Sequence, residues 1–156
     1  KGFPFQFHTG LQAGNGNMIS EADPALLSNL LLEYPDVRFG LMHLGYPYQA
    51  KLAALAKGFP NVYIDMCWAN IISPNACVSA LIEYLDTVPI NKIFAFGGDH
   101  HHIDAVVGHV HMMRQNLSEA LARKIAHGDF GLDEAKFIAQ RVLYDNPKAT
   151  YQMSRE

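Results

Sequence analysis

The stretch FAFGGDHHH, Phe94 to His102, sets an aspartate directly before three consecutive histidines. Neutral imidazoles and a carboxylate are the donors that zinc or a similar divalent ion takes. Three adjacent side chains do not converge on one ion, because neighbours in an extended segment point to opposite sides. The triplet is therefore not a metal site on its own. Asp99 gains its interest from what stands elsewhere in the chain. His8 closes the apolar run FPFQFH and His43 closes VRFGLMH, much as Asp99 follows KIFAFGG. A carboxylate beside such an ion can also accept a proton from bound water, whose pKa falls to about 7 on zinc.

The elements that must position these groups are short apolar runs alternating with helical stretches. Phe3 to His8, Val37 to His43, Asn61 to Trp68 and Lys92 to Gly98 predict four strands. Asp23 before Pro24 predicts the start of a helix over Ala25 to Glu33. Tyr48 to Ala56 predicts a second, with Lys57 near its end and Gly58 as its stop. ANIISPN, after the third strand, reads as a loop leading to a helix near Ala76 to Asp86. Beyond Asp104 the pattern is helical, with Val106, Val110, Met113 and Leu117 forming one apolar stripe. Ser118 is placed to cap a helix ending near Gly128, and Asp133 to cap another reaching Tyr144.

Strands alternating with helices mean parallel βα units, because parallel neighbours need a crossover connection. Two architectures satisfy this: an open doubly wound sheet, or part of a (β/α)8 barrel. In both, the C-terminal strand ends form the active face, so His8, His43 and Asp99 are expected at one rim. The third strand contributes Asp65 to Trp68 there. Alternation alone does not settle which way Asp65 faces.

The 156 residues are 49% hydrophobic and 17% charged with a formal net charge of -3, the profile of a soluble one-domain protein. The mild acidity and the absence of a dense Lys/Arg cluster argue against a nucleic-acid partner. No apolar run approaches the roughly 18 residues that cross a bilayer, so no membrane is expected. Cys67 and Cys77 form no Cys-x-x-Cys pattern, which points to reduced thiols and a cytoplasmic location. GLQAGNG lacks the spacing of a phosphate-binding loop and no Gly-x-Ser-x-Gly elbow occurs. The abrupt start at Lys1 suggests that upstream sequence is missing.

FQFHTG, YPDVRFGLMHLGYP, FPNVYIDMCW, KIFAFGGDHHH and RVLYDNPKATY together resemble the C-terminal half of a metal-dependent amidohydrolase. The nearest branch is amidohydrolase 2, which also contains metal-dependent decarboxylases. The resemblance implies an α/β fold: the C-terminal half of a (β/α)8 TIM barrel, one domain over residues 1–156, with the N-terminal half absent. It implies that His8 is the metal-binding histidine of strand five. His43 would be the strand-six histidine, which binds metal or polarises the attacking water. Asp99 would be the strand-eight aspartate, a metal ligand and proton acceptor. His43 and Asp99 are thus the expected catalytic pair and His8, His43 and Asp99 the expected ligands of a divalent metal, zinc by preference.

Family members follow that aspartate with a tyrosine or similar residue and a proline, after a glycine-serine pair. Here Gly98, His100 and His101 occupy those places, so substrate contacts are expected from Trp68, His100 and His101. The implied reaction is hydrolysis of a C-N or C-O bond by metal-activated water. The alternatives are non-oxidative decarboxylation of an aromatic or unsaturated acid, and a non-catalytic fragment that self-associates. The family's His-x-His pair has no counterpart. His109 and His111 lie in a helical stretch, where residues two apart point about 200° apart, and are expected to be solvent-facing or locally bonded. Half a barrel is expected to form a homo-oligomer and, with two or three ligands, to bind metal weakly. Asn70 is expected beside Trp68 at the rim, Thr9 and Tyr46 in the rim loops, His127 as a charge at a helix end, and Asn146-Pro147 as a structural turn.

Overall fold

In the computed structural model, which describes residues 2–153, the apolar runs form four parallel strands. These are β1 (Phe5–Phe7), β2 (Phe39–Leu41), β3 (Val62–Asp65) and β4 (Ile93–Phe94), in spatial order β1-β2-β3-β4. Lys1 and residues 154–156, the ends of the expected domain, lie outside the described residues. Phe39 pairs with Phe5 on one side and Val62 on the other, and Ile64 pairs with Ile93. Each strand is shorter than the run that predicted it. The last residues of each run leave the ladder and become the loops that carry His8, His43, Cys67 and Asp99.

The seven α-helices among the described residues are α1 (Ser28–Glu33), α2 (Gln49–Gly58), α3 (Ala69–Ile72), α4 (Pro74–Thr87), α5 (Ile103–His127), α6 (Leu132–Gln140) and α7 (Asn146–Thr150). Asp23 does cap the first helical stretch, its carboxylate accepting from the Ala25 N–H at 2.9 Å, but the first turn, Pro24–Leu27, is a 3-10 helix. One face of the sheet packs on the helices through Phe39, Leu41, Val62, Ile64 and Ile93, with Leu52, Ala56 and Leu81 opposite, all buried. Alternation sends Gln6, Gly40, Tyr63 and Asp65 to the other face. Tyr151 lies across that face: Gln6 Nε2 donates to its hydroxyl at 2.8 Å, and its ring sits 5.8 Å from Phe94, which stacks on Tyr63 at 5.7 Å.

Several local expectations are corrected. Residues 69–72 of the expected loop form α3, and α4 begins at Pro74, because Ser73 accepts from the Ala76 N–H at 3.2 Å and proline suits a first turn. Ser118 caps nothing: α5 runs unbroken for 25 residues, since Leu117, Ala120 and Leu121 are buried on one continuous face. Its stop is as expected, Gly128 in the left-handed conformation at φ +92°. Asp133 lies inside the first turn of α6, where Glu134 reaches back to accept from the Gly131 N–H at 3.2 Å. The helix expected to reach Tyr144 instead passes into a π-helical turn over Arg141–Asp145.

Gly58 is the last residue of α2 rather than its stop. The carbonyls at that end are held by Lys92, whose Nζ donates to Ala56 O at 2.7 Å and Phe59 O at 2.6 Å. A buried ammonium there also complements the negative end of the helix dipole. Asn146 is structural as expected: its Nδ2 donates to Ile90 O at 2.7 Å and Ile93 O at 3.0 Å, tying α7 to the start of β4 and the turn before it.

Candidate functional site

His43 sits two residues beyond β2, buried and in the left-handed conformation at φ +64°. Its Nδ1 lies 2.9 Å from the Cys67 carbonyl oxygen. A carbonyl only accepts, so Nδ1 carries the hydrogen and Nε2 keeps its lone pair. That lone pair is turned to the rim, where Asp99 Oδ2 stands 3.9 Å away. Burial holds the His43 pKa below its ordinary value, and the neighbouring His8 adds to this. The Cys67 carbonyl and the Asp99 carboxylate pull the other way. A neutral imidazole fixed in one tautomer by a backbone carbonyl is the form that binds a metal ion.

His8 follows β1 directly, and its ring lies 4.2 Å from that of His43. Its Nε2 is 2.9 Å from Leu11 O, so this nitrogen donates and Nδ1 keeps the lone pair. Asp99 follows β4 by five residues, at φ +47°, with its side chain 58% exposed. His8 and Asp99 thus each lie beside His43 at the rim, but the donor atoms within 4.8 Å of one another include those of His43 and Asp99 and not those of His8. Trp68 is also left-handed, at φ +60°. Leu44, next to His43, is left-handed too, so four non-glycine residues in a sparsely populated conformation lie in the three rim loops and mark a place where backbone strain is concentrated.

Sequence reasoning missed Cys67. Its Sγ, a His43 nitrogen and an Asp99 oxygen all lie within 4.8 Å of one another. The sequence carried no clear signal, because the run that predicted the third strand, Asn61 to Trp68, encloses Cys67, and only the early end of β3 at Asp65 puts it two residues past the strand as His43 is past β2. Burial pushes the thiol up to about 12, with the negative charges of Asp65 and Asp99 adding to it. Asp65 is buried on the same face. Burial raises its carboxyl to about 6 against the opposing Cys67 N–H, which donates to it at 2.9 Å, and the Asp99 charge raises it further.

The remaining expected residues divide. Trp68 is half-buried at the rim, its indole Nε1 buried without a partner. His101 is exposed at the start of α5, while His100 turns to α5, its Nε2 3.1 Å from His109 Nδ1. His109 is not solvent-facing. It lies four residues before Met113 and seven before Asn116, on the buried face of α5, with Phe96 at 4.8 Å, and burial lowers its pKa. His111 is exposed. Asn70 does not line the rim either: its Oδ1 accepts from Asn116 at 2.9 Å and from the Cys77 thiol at 3.1 Å, inside the core. Thr9 is a loop residue, donating to Met42 O at 2.7 Å. His127 pairs with Asp129 at 2.8 Å.

The donor set suits a divalent ion: imidazole, carboxylate and thiol converge from separate strand ends, with the imidazole tautomer already fixed. Among the described residues no helix is long and apolar enough to cross a membrane.

Comparison with known proteins bears on the fold and the family. The chain is 29% identical over 154 residues to Protein fluG of Emericella nidulans, covering 98% of this chain and 18% of that protein. It is 28% identical over 111 residues to a uronate isomerase of Thermotoga neapolitana, covering 64% of this chain and 22% of that one. Among solved structures, one described as a metal-dependent hydrolase from Lactobacillus casei superposes with a TM-score of 0.78 at 22% identity, covering 96% of this chain and 39% of that chain. The uronate isomerase of Thermotoga maritima superposes with a TM-score of 0.67 at 23% identity, covering 90% and 30%. The fold is therefore part of a (β/α)8 barrel, and the chain spans less than half the length of these relatives. The amidohydrolase family model (Amidohydro_2) matches residues 1–152, so the chain belongs to the amidohydrolase family.

Proposed function

We propose that the rim built on His8, His43 and Asp99 is a hydrolytic metal site that cleaves a C-N or C-O bond of a small-molecule substrate. The observation that carries this reading is the aim of His43: its Nδ1 is tied to a carbonyl at 2.9 Å, so Nε2 is presented toward Asp99 at 3.9 Å. A bound divalent ion, zinc in this reading, supplies a water with its pKa lowered to about 7. Asp99 would be the proton acceptor at the attacking oxygen and the proton donor to the departing nitrogen or oxygen. His43 and His8 would hold the ion. Trp68 and His101 contact substrate, and His100, held by His109, supports the loop behind Asp99.

The isolated chain is read as holding part of the ligand set, with the rest in the portion of the barrel it does not span. Self-association belongs to the same reading: β1 and β4 are the outer strands of the sheet, and Phe5 on β1 is 62% exposed. Gel filtration giving a dimer supports it; a stable monomer counts against it. Both free cysteines are buried, which suits a reducing compartment such as the cytoplasm.

The test is turnover by the zinc-loaded protein at its natural length against lactones and amides, aromatic acids and uronates. Hydrolysis that is lost on chelation and in Asp99→Asn supports the proposal. Carbon dioxide release from aromatic acids alone replaces it with decarboxylation. Uronate turnover alone replaces it with isomerisation, and metal-independent turnover overturns it.

A further inference from the structure

The two cysteines are treated differently by the fold. Cys77 belongs to the core, where its thiol donates to Asn70 Oδ1 at 3.1 Å. Cys67 stands at the rim, and no hydrogen bond holds its sulfur among the described residues. Its backbone, by contrast, is the junction of the site. The Cys67 carbonyl fixes His43 at 2.9 Å, and the next N–H, that of Trp68, donates to Gly97 O at 3.1 Å. Gly97 is two residues before Asp99, so this bond fastens the loop that carries the carboxylate.

The close approach of that loop depends on glycine. A Cβ at Gly97 would lie 2.8 Å from the Cys67 sulfur, inside contact distance. The loop of β4 thus closes directly over the thiol, with His43 and Asp99 within 4.8 Å of it. Zinc binds sulfur at about 2.3 Å and nitrogen at about 2.0 Å, so one ion reaches donors up to roughly 4.3 Å apart. The remaining closure is small, and the Asp99 side chain, well exposed, has room to make it.

The geometry points to Cys67 Sγ as a ligand of the rim cation beside His43 and Asp99, making a mixed sulfur, nitrogen and oxygen site that selects thiophilic ions over manganese and magnesium. This rests on the metal reading above and deepens it. A coordinated thiol gives up its proton to the buffer on binding, and soft sulfur donors favour zinc and cadmium over hard ions.

The test titrates the protein with cadmium and follows the ultraviolet thiolate-to-cadmium charge-transfer absorption, with calorimetry of zinc and manganese in parallel. One band saturating at one cadmium per chain is expected, retained in Cys77→Ser and lost in Cys67→Ser. Cys67→Ser is also expected to weaken zinc binding at least tenfold and leave manganese binding unchanged. Cys77→Ser has only one thiol, so its band identifies Cys67 even where Cys67→Ser fails to fold. Cadmium bound without the band, or a band that survives in Cys67→Ser, overturns the inference and leaves the metal site standing. Absence of any metal binding overturns both.

Discussion

Asp65→Asn in the metal-free protein should be more stable than the wild type at neutral pH and equal to it in acid. Asp65 is buried on the face of the sheet opposite the helices, and its carboxyl is raised to about 6 from an ordinary 3.8. The native state therefore holds this proton more tightly than the unfolded chain does. The stabilising contribution of the protonated form is complete below about pH 4 and is lost as pH rises through about 6. The gap between those values, at about 1.4 kcal/mol for each pH unit, places the neutral-pH penalty at about 3 kcal/mol. Asparagine keeps the oxygen that accepts from the Cys67 N–H. The protonated carboxyl and the amide are alike in size and hydrogen bonding, so in acid, where Asp65 is protonated in both states, the two proteins match. Urea denaturation at intervals between about pH 4 and pH 8 reads the difference. A variant advantage that opens across this window and is flat above it is expected. A difference that is independent of pH, or that grows toward acid, refutes the reasoning.

Three further substitutions test the packing of the sheet's other end and of the rim loops. Lys92→Met removes the ammonium that donates to two carbonyls at the end of α2, of which Phe59 O keeps the Val62 N–H, and should cost about 2 kcal/mol in urea denaturation; an unchanged midpoint would show that the two bonds contribute nothing. Asn146→Ala removes both bonds from α7 to the start of β4 and the turn before it and should cost about 2 kcal/mol, with hydrogen exchange rising first in residues 141–151. Gly10→Ala places a Cβ 2.3 Å from Tyr46 O at φ +74°. The backbone conformation alone costs about 1–2 kcal/mol, so a variant as stable as the wild type would contradict the close packing of the His8 and His43 loops.

The parts of this account that were legible in sequence are those set by topology. Four apolar runs separated by helices force parallel crossovers, and crossovers force strand ends to one side, so His8, His43 and Asp99 could be placed together without any contact being known. What orients them was not legible, because it is made between strands. The Cys67 carbonyl that fixes His43 is 24 residues away in sequence, and a backbone carbonyl has no sequence signature. Cys67 itself reads as a small core residue, and only the approach of Gly97 reveals that its sulfur lies under the Asp99 loop. His109 is bonded to His100 and not solvent-facing, because the residues that decide its burial are Met113 and Asn116, four and seven positions on along the same face of α5. Ser118 failed as a cap for a similar reason: cap preference is a local energy of about 1 kcal/mol, outweighed by the continuous apolar face of α5.

The most direct test of the central claim is zinc calorimetry on the chain itself and on its His43→Gln and Asp99→Asn variants. Complete structural zinc sites reach about 10–16 kcal/mol, and a partial ligand set should give about 8 kcal/mol, a Kd on the order of micromolar. One ion per wild-type chain at that strength, and none detectable in either variant while both still unfold cooperatively, is the predicted result. A folded wild type that binds no zinc, or binding unchanged in both variants, would contradict the assignment of the rim as a metal site.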